Sequence, residues 1–474
     1  MKQNATGIGG LDQVLRGGLP DSSTILLAGK PGTGKTILTQ NLLFNHAAST
    51  GSKTLYITTL SEPQIKVLRH QREFTFFCAS LLGERVIYRE IGSALRTEGL
   101  DGARTALEDL VKEHQPDIVA IDSIKAIGDM LASPPEFRAF IADLNLSLPL
   151  WGCTVLLVGE YAEESFQGGP EAAMADGIIY LYGMEERKHQ RRYLRVLKMR
   201  GTNFSPGEHS YDITDDGIKV YPRLNPVVAQ QKYDAYGRRQ STGIDELDRM
   251  MRGGILAGSS TLIAGSTGMG KSLLSLAWLV QGAREGEAGL LVSFDQSPDQ
   301  IIGGCQSFGW DLQNLTEQGL LEIMHVSPME MNVDRLVHNI QAAVSRLSVK
   351  RASIDSISSF EVGMADKTKY TDYLWSLVDW FKSSGISLVM VEETQPDAGS
   401  LTTHHTSFIA DSILRVGHVQ VDYDIRKVIN VLKMRGSGHE TALRELVITD
   451  EGPNVLSEPV AHRFGSGPCR LGEG

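Results

Sequence analysis

The sequence predicts an α/β protein built from two tandem domains, each a mostly parallel sheet between helices. Three observations carry that expectation. Strings from the first half recur in the second at a nearly constant offset. Short apolar runs alternate with helical segments. Each half also holds a glycine-rich loop of the form G-x-x-x-x-G-K-[ST], set between an apolar run and a helical pattern.

The repeat sets the boundaries. Thr6-Gly-Ile-Gly-Gly-Leu-Asp12 returns as Thr242-Gly-Ile-Asp-Glu-Leu-Asp248, and Arg16-Gly-Gly18 as Arg252-Gly-Gly254, both 236 residues later. Ile121-Asp-Ser123 returns as Ile354-Asp-Ser356 and Leu197-Lys-Met-Arg-Gly201 as Leu432-Lys-Met-Arg-Gly436, at offsets of 233 and 235. A period this long implies duplicated domains rather than a solenoid. The expected organisation is a first domain over 1–222, a linker over 223–240 and a second domain over 241–474.

Within the first domain, Thr24 to Ala28 reads as a strand leading into Gly29-Lys-Pro-Gly-Thr-Gly-Lys-Thr36. Lys53–Thr58 reads as the next strand and Leu100–Glu113 as a helix with Leu107, Leu110 and Val111 on one face. Asp117–Asp122 is a buried strand ending in an acid, Phe137–Leu146 a helix, Thr154–Val158 a strand, and Ile218–Tyr221 the last strand signal. Glu185-Glu-Arg-Lys-His-Gln-Arg-Arg192 reads as a solvated hairpin between two strands in preference to a nucleic-acid loop. In such sheets ligands sit at the carboxyl ends of the strands, where the motifs fall.

The glycine-rich loops point to nucleotide phosphates. Glycines let backbone N–H groups turn inward around an anion. The candidates are Gly29, Gly32, Thr33, Gly34, Lys35 and Thr36 in the first copy, and Gly265, Gly268, Met269, Gly270, Lys271 and Ser272 in the second. Lys35 and Lys271 would reach the β- and γ-phosphates of ATP, and the Thr36 and Ser272 hydroxyls would hold Mg²⁺. Asp122 and Asp355 each end an apolar strand downstream, where an acid holds Mg²⁺ through water; a helix-capping Asp is the other reading. Glu160 and Glu393 end the following strand, each 38 residues past its acid. Either they sense the γ-phosphate and position water, or they are solvated strand ends. Lys198, Arg200, Lys433 and Arg435 lie in L-K-M-R-G, as cations for a neighbouring subunit's γ-phosphate or as charges protecting an edge strand.

Composition bounds the rest. A chain of 474 residues with 41% hydrophobic and 22% charged residues is an ordinary soluble chain of two to four domains. No apolar run of about 18 residues predicts a membrane span, and the N-terminus reads as neither signal nor transit peptide. Cys78, Cys153, Cys305 and Cys469 are far apart, which disfavours a zinc site or disulfide framework and fits a reducing cytoplasm. A net charge of −11 disfavours nucleic acid as a partner.

With both halves laid out, nearly the whole chain resembles the KaiC family, double-domain RecA-like ATPases known from a circadian clock. The resemblance rests on T-G-I-x-x-L-D, the phosphate loops, I-D-S, L-K-M-R-G, Ser307-Phe-Gly-Trp-Asp311 and the endings Tyr211–Gly217 and Leu446–Gly452. It implies a homohexameric ring with ATP and Mg²⁺ bound between subunits, an ATPase first ring, a second ring that autophosphorylates Ser and Thr, and a regulatory protein partner. Three departures matter. The family's adjacent glutamates, one a general base, fall on Leu60 and Ser61, with Glu62 displaced by one residue, and on Asp295 and Gln296 in the second domain. The family's phosphorylated Ser-Thr pair falls on Ser407 and Phe408, leaving Ser407 and nearby Thr402 as acceptors. The family's long C-terminal tail is absent or rewritten in Val460 to Gly474, so a full clock oscillator is not expected. The rivals are a RecA/DnaB-like nucleic-acid-dependent ATPase and a scaffold in which ATP only joins subunits.

Overall fold

A computed structural model describes residues 2–59, 64–130, 134–164, 169–186, 189–224, 237–364, 367–394, 406–421 and 424–460. The chain divides into two compact units, Met1–Arg223 and Leu224–Gly474. Residues 225–236 of the expected linker lie outside the described residues, while Arg239–Gln240, at its end, pair with Ile255–Leu256 of the second unit.

In the first unit, strand β1 (Thr24–Gly29) runs into helix α1 (Lys35–Thr50). Then come β2 (Thr54–Thr58), β3 (Val86–Glu90), α2 (Gly92–His114), β4 (Ile118–Asp122), α3 (Ile124–Asp129), α4 (Pro134–Leu150) and β5 (Thr154–Glu160). The strands β6 (Gly177–Glu186), β7 (His189–Met199), β8 (His209–Thr214) and β9 (Gly217–Tyr221) close the unit. The sheet order is β9-β8-β7-β6-β1-β5-β4-β2-β3. The six strands from β6 to β3 are parallel, and β7, β8 and β9 extend them antiparallel.

The residue types explain this layout. Every residue of Thr24-Ile-Leu-Leu-Ala-Gly29 is buried, as a central parallel strand covered on both faces requires. Leu26, Val119 and Leu157 pack with Leu107, Phe140 and Ile141 in one core. Ile25, Leu27 and Leu156 pack with Leu38, Leu42 and Leu43 of α1 in another. Helix α2 is longer than the expected Leu100–Glu113. Gly99 interrupts it at φ 68° and ψ −153°, a break that glycine tolerates, and the expected segment is the stretch after that break.

The second unit repeats the plan. It contains β10 (Ser260–Gly265), α5 (Lys271–Arg284), β11 (Gly289–Ser293), β12 (Leu321–His325), α6 (Val333–Leu347), β13 (Arg351–Asp355) and α7 (Ile357–Val362). It continues with α8 (Lys367–Ser383), β14 (Ser387–Glu393), β15 (Ser412–Val421), β16 (Asp424–Met434), β17 (Arg444–Thr449) and β18 (Gly452–Pro459). Its order is β12-β11-β13-β14-β10-β15-β16-β17-β18. Helix α6 shows the sequence logic plainly: Leu336, Val337, Ile340 and Ala343 recur at helical spacing and are its buried stripe.

Both units are therefore mostly parallel α/β domains, as the alternation of apolar runs and helical segments predicts. No helix among the described residues is long and apolar enough to cross a membrane.

Candidate active sites

In each unit the glycine-rich loop joins the end of a central strand to the start of a helix. Gly34 has φ 86° as the residue before α1, and a Cβ there would lie 2.9 Å from Ile213 Cδ1. Gly29 has a second constraint: its Cβ would lie 2.2 Å from the Leu181 carbonyl. Glycine is thus required at both ends of the first loop. The Tyr211 hydroxyl donates to the Thr33 carbonyl at 2.5 Å and props the loop from below.

The Lys35 ammonium donates to the carbonyls of Gly29 and Lys30, each at 3.0 Å. Lys271 donates to the Ser266 carbonyl at 2.7 Å. Burial pulls both amines below the usual lysine range, opposed by Glu160 and Asp122 in the first unit and by Glu393 and Asp355 in the second. A desolvated ammonium at a helix N-terminus attracts an anion. The loop, Asp122, Ser123, Lys125, Glu160 and Tyr56 line a cavity of about 600 Å³ at the carboxyl ends of the strands.

The acids fall where the sequence places them. Register sets Asp122 beside Thr58 and Val158, and Asp355 beside Ser293 and Val391. Thr36 Oγ1 donates to Asp122 Oδ2 at 2.9 Å. Ser272 likewise bonds the Asp355 carboxyl, which is raised by burial first and also by the nearby Asp295. A hydroxyl beside a carboxylate, below an anion-seeking loop, is the oxygen-donor chemistry that Mg²⁺ prefers, so these residues fit Mg²⁺ bound with a nucleotide. Ser123 and Ser356, rather than the acids, cap the following helices, accepting from Ala126 and Ser359 amides at 3.3 and 3.2 Å.

The two sites differ in detail. In the first, Tyr56 OH also donates to Asp122 Oδ2, at 2.7 Å. In the second, Leu291 holds the matching strand position, and Ser359 Oγ donates to Asp295 Oδ1 at 2.9 Å. Glu160 pairs in register with Gly29, and Glu393 with Gly265, so both glutamates flank their loops. Glu393 accepts from Thr267 Oγ1. Glu62, together with Leu60 and Ser61, lies outside the described residues.

The cations of L-K-M-R-G stand apart from the loops of their own units. Lys198 pairs with Ile178, level with Leu26, three residues short of Gly29. The Arg200 amide bonds the Asp176 carbonyl, and the Asp176 amide bonds that of Thr24, five residues short of Gly29. At about 3.3 Å per residue, their backbones sit about 10 and 16 Å back along the strand direction from the loop's first glycine. Lys433 and Arg435 repeat this against Leu262 and Ser260. Lys198 donates to the Ala172 and Ala173 carbonyls at 3.4 and 3.2 Å. Lys433 donates to those of Ser407 and Ala410 at 2.8 and 2.7 Å. Arg435 reaches the Phe408 carbonyl at 3.3 Å. The Ser407 side chain is half-buried in a short turn, Thr406–Phe408, whose Thr406 hydroxyl is bound to buried Glu392 at 2.6 Å. Thr402 lies outside the described residues.

One repeated motif has a different explanation. In T-G-I-x-x-L-D, Asp12 accepts from the Thr6 amide and hydroxyl, both at 2.8 Å, and Asp248 accepts from those of Thr242 at 2.8 and 2.7 Å. It is a turn that closes on its own Asp. The sequence gives no site role to Tyr56, Tyr211 or Ser359: Tyr56 and Ser359 belong to no motif, and Tyr211 counts there only as the first residue of the ending Tyr211–Gly217.

Two phosphate loops, each paired with a strand-end acid on a parallel sheet, define a P-loop nucleotide-binding protein with two sites. The family model "ATPase: KaiC" matches residues 4–225 and again 240–460. The chain belongs to that family of ATPases, with its domain present twice. It is 28% identical over 460 residues to the "Circadian clock oscillator protein KaiC" of Picosynechococcus sp., covering 94% of this chain and 88% of that one. The "Circadian clock oscillator protein KaiC 1" of Synechocystis sp. is 28% identical over 95% of this chain and 88% of its own. The protein of the former name from Synechococcus elongatus is 27% identical, with the same two coverages.

Proposed function

We propose that this chain is an ATPase that closes into a homohexameric ring, with each nucleotide held between neighbouring copies. The observation that carries the reading is the separation, in both units, of the L-K-M-R-G cations from the phosphate loop of the same unit. Cations about 10–16 Å down the sheet serve a second copy's nucleotide better than their own. Ring closure lets every copy give and receive the same contact.

In this reading the loop amides and Lys35 or Lys271 bind the phosphates. Thr36 with Asp122, and Ser272 with Asp355, would hold Mg²⁺, which when bound offsets charge on the β- and γ-oxygens. Asp295 takes a proton from the attacking water. Glu160 and Glu393, each beside its loop, orient that water or register the γ-phosphate. The first unit has Leu60 and Ser61 where a base is needed, so Glu62 is its remaining candidate and its turnover is the slower. Lys198, Arg200, Lys433 and Arg435 reach a neighbour's γ-phosphate. Ser407, with Thr402 as a minor site, accepts phosphate from the neighbouring copy, and the phosphorylation state is presented to a regulatory protein partner.

Subunit mixing tests the shared site. Lys271→Ala chains lack the loop half, and chains with Lys433→Ala and Arg435→Ala lack the cation half. Mixed rings should recover ATP hydrolysis above the sum of the separate preparations. Activity equal to that sum would show that each copy completes its own site.

A further inference from the structure

We propose that Ser359 is a positioning residue of the second unit, fixing Asp295 so that one carboxylate oxygen faces the attacking water. The inference rests on the reading of Asp295 as the base.

Asp295 lies two residues beyond the end of β11 and is exposed. Its side chain is one methylene shorter than a glutamate's, so a small rotation moves its oxygens off line, and misplacement of about 1 Å costs about 10²-fold. Ser359 removes that freedom. Its Oγ donates to Asp295 Oδ1 at 2.9 Å, which leaves Oδ2 to accept a proton. Ser359 is itself anchored twice: its amide donates to Ser356 Oγ at 3.2 Å, and the two hydroxyl oxygens lie 3.1 Å apart. Ser356 directly follows Asp355, whose carboxyl is bonded by Ser272 of the phosphate loop. The base is thereby tied through Ser359 and Ser356 to the strand end beside the phosphates.

The first unit supplies an internal comparison. Ser123 caps its helix as Ser356 does, and the residue three further on is Ala126 in place of Ser359. In the sequence, Leu60 stands in place of Asp295. The hydroxyl and the carboxylate are missing together, as expected if the hydroxyl serves the carboxylate. In the step itself, water oxygen bonds to the γ-phosphorus and the bond from that phosphorus to the β–γ bridging oxygen breaks. The water proton passes to Asp295 Oδ2, and ADP leaves with the bridging oxygen.

The test measures steady-state hydrolysis of Mg·ATP by the full chain, with the turnover of Lys271→Ala subtracted as the first unit's share. Ser359→Ala should lower kcat about ten-fold or more, with KM and bound nucleotide unchanged, and Ser359→Thr should restore kcat to within about three-fold. Thermal melting of each variant checks that the fold is intact. If Asp295→Asn abolishes turnover while Ser359→Ala stays within about two-fold of the parent, the positioning role is overturned and the base stands. If Asp295→Asn retains turnover, the base assignment falls first and this inference with it.

Discussion

Arg351 is where a single substitution should cost the second unit most. Its side chain is fully buried at the start of β13, and it bonds outward in several directions. Nε donates to Glu287 at 2.7 Å and Nη2 to Glu285 at 2.5 Å. Nη1 donates to the carbonyls of Ser241 and Trp278, both at 2.9 Å. Arg351→Met keeps much of the volume and removes every donor. Breaking a buried pair costs about 3–5 kcal/mol. Glu287 keeps Arg238 and Gln240, which places its share at the low end. Glu285 is 37% exposed, so solvent screens its loss to a few tenths of that. Two carbonyls lose a donor, at about 1 kcal/mol each. The sum is about 6 kcal/mol. Tryptophan fluorescence during urea unfolding reads it, because Trp278, Trp310, Trp375 and Trp380 all lie in the second unit, leaving Trp151 alone in the first. A loss below about 1 kcal/mol would mean that this cluster is neutral to stability, as some buried ion pairs are.

Three further outcomes follow from the same geometry. Burial opposes ionisation of Asp411, but the Ser260 amide and Lys382 outweigh it and hold its carboxyl below the usual range. Its stabilisation is therefore present above the unfolded carboxylate range and lost as pH falls through the depressed folded value, so Asp411→Asn should flatten the acid limb of stability against pH; an unchanged limb would remove Asp411 from the account. Tyr56→Phe should leave the fold intact and shift the Mg²⁺ dependence of nucleotide binding in the first unit, measured calorimetrically in a Lys271→Ala chain, and an identical titration would make the Tyr56–Asp122 bond incidental. Mass spectrometry after incubation with Mg·ATP should find phosphate on Ser407 above all; label absent from 400–410 in a ring that still binds ATP would leave an ATPase or an ATP-held scaffold.

The fold was readable because it rests on periodicity and repetition. The all-buried strand Thr24–Gly29, the stripe of α6 and the doubled loops each follow from residue pattern alone. The loops and strand-end acids were legible because phosphate and metal chemistry restricts residue type at fixed spacing. Tyr56 and Ser359 were not, since their contacts join residues 66 and 64 positions apart in the chain. Arg351 was hidden for a similar reason: its partners Glu285 and Glu287 come from the turn after α5, and the signature is Gly282, where a Cβ would lie 2.5 Å from the Arg351 side chain. The cation strand was legible as a motif, but its distance from its own loop required strand register.

The central claim is that one chain carries two nucleotide sites, each built on its own phosphate loop. The direct measurement is bound nucleotide per chain, with ATP turnover alongside, for the parent, Lys35→Ala, Lys271→Ala and the double variant. The account predicts two nucleotides in the parent, one in each single variant and none in the double, with the larger loss of turnover on Lys271→Ala. A parent that holds fewer than two, or a double variant that still binds and hydrolyses ATP, would contradict it.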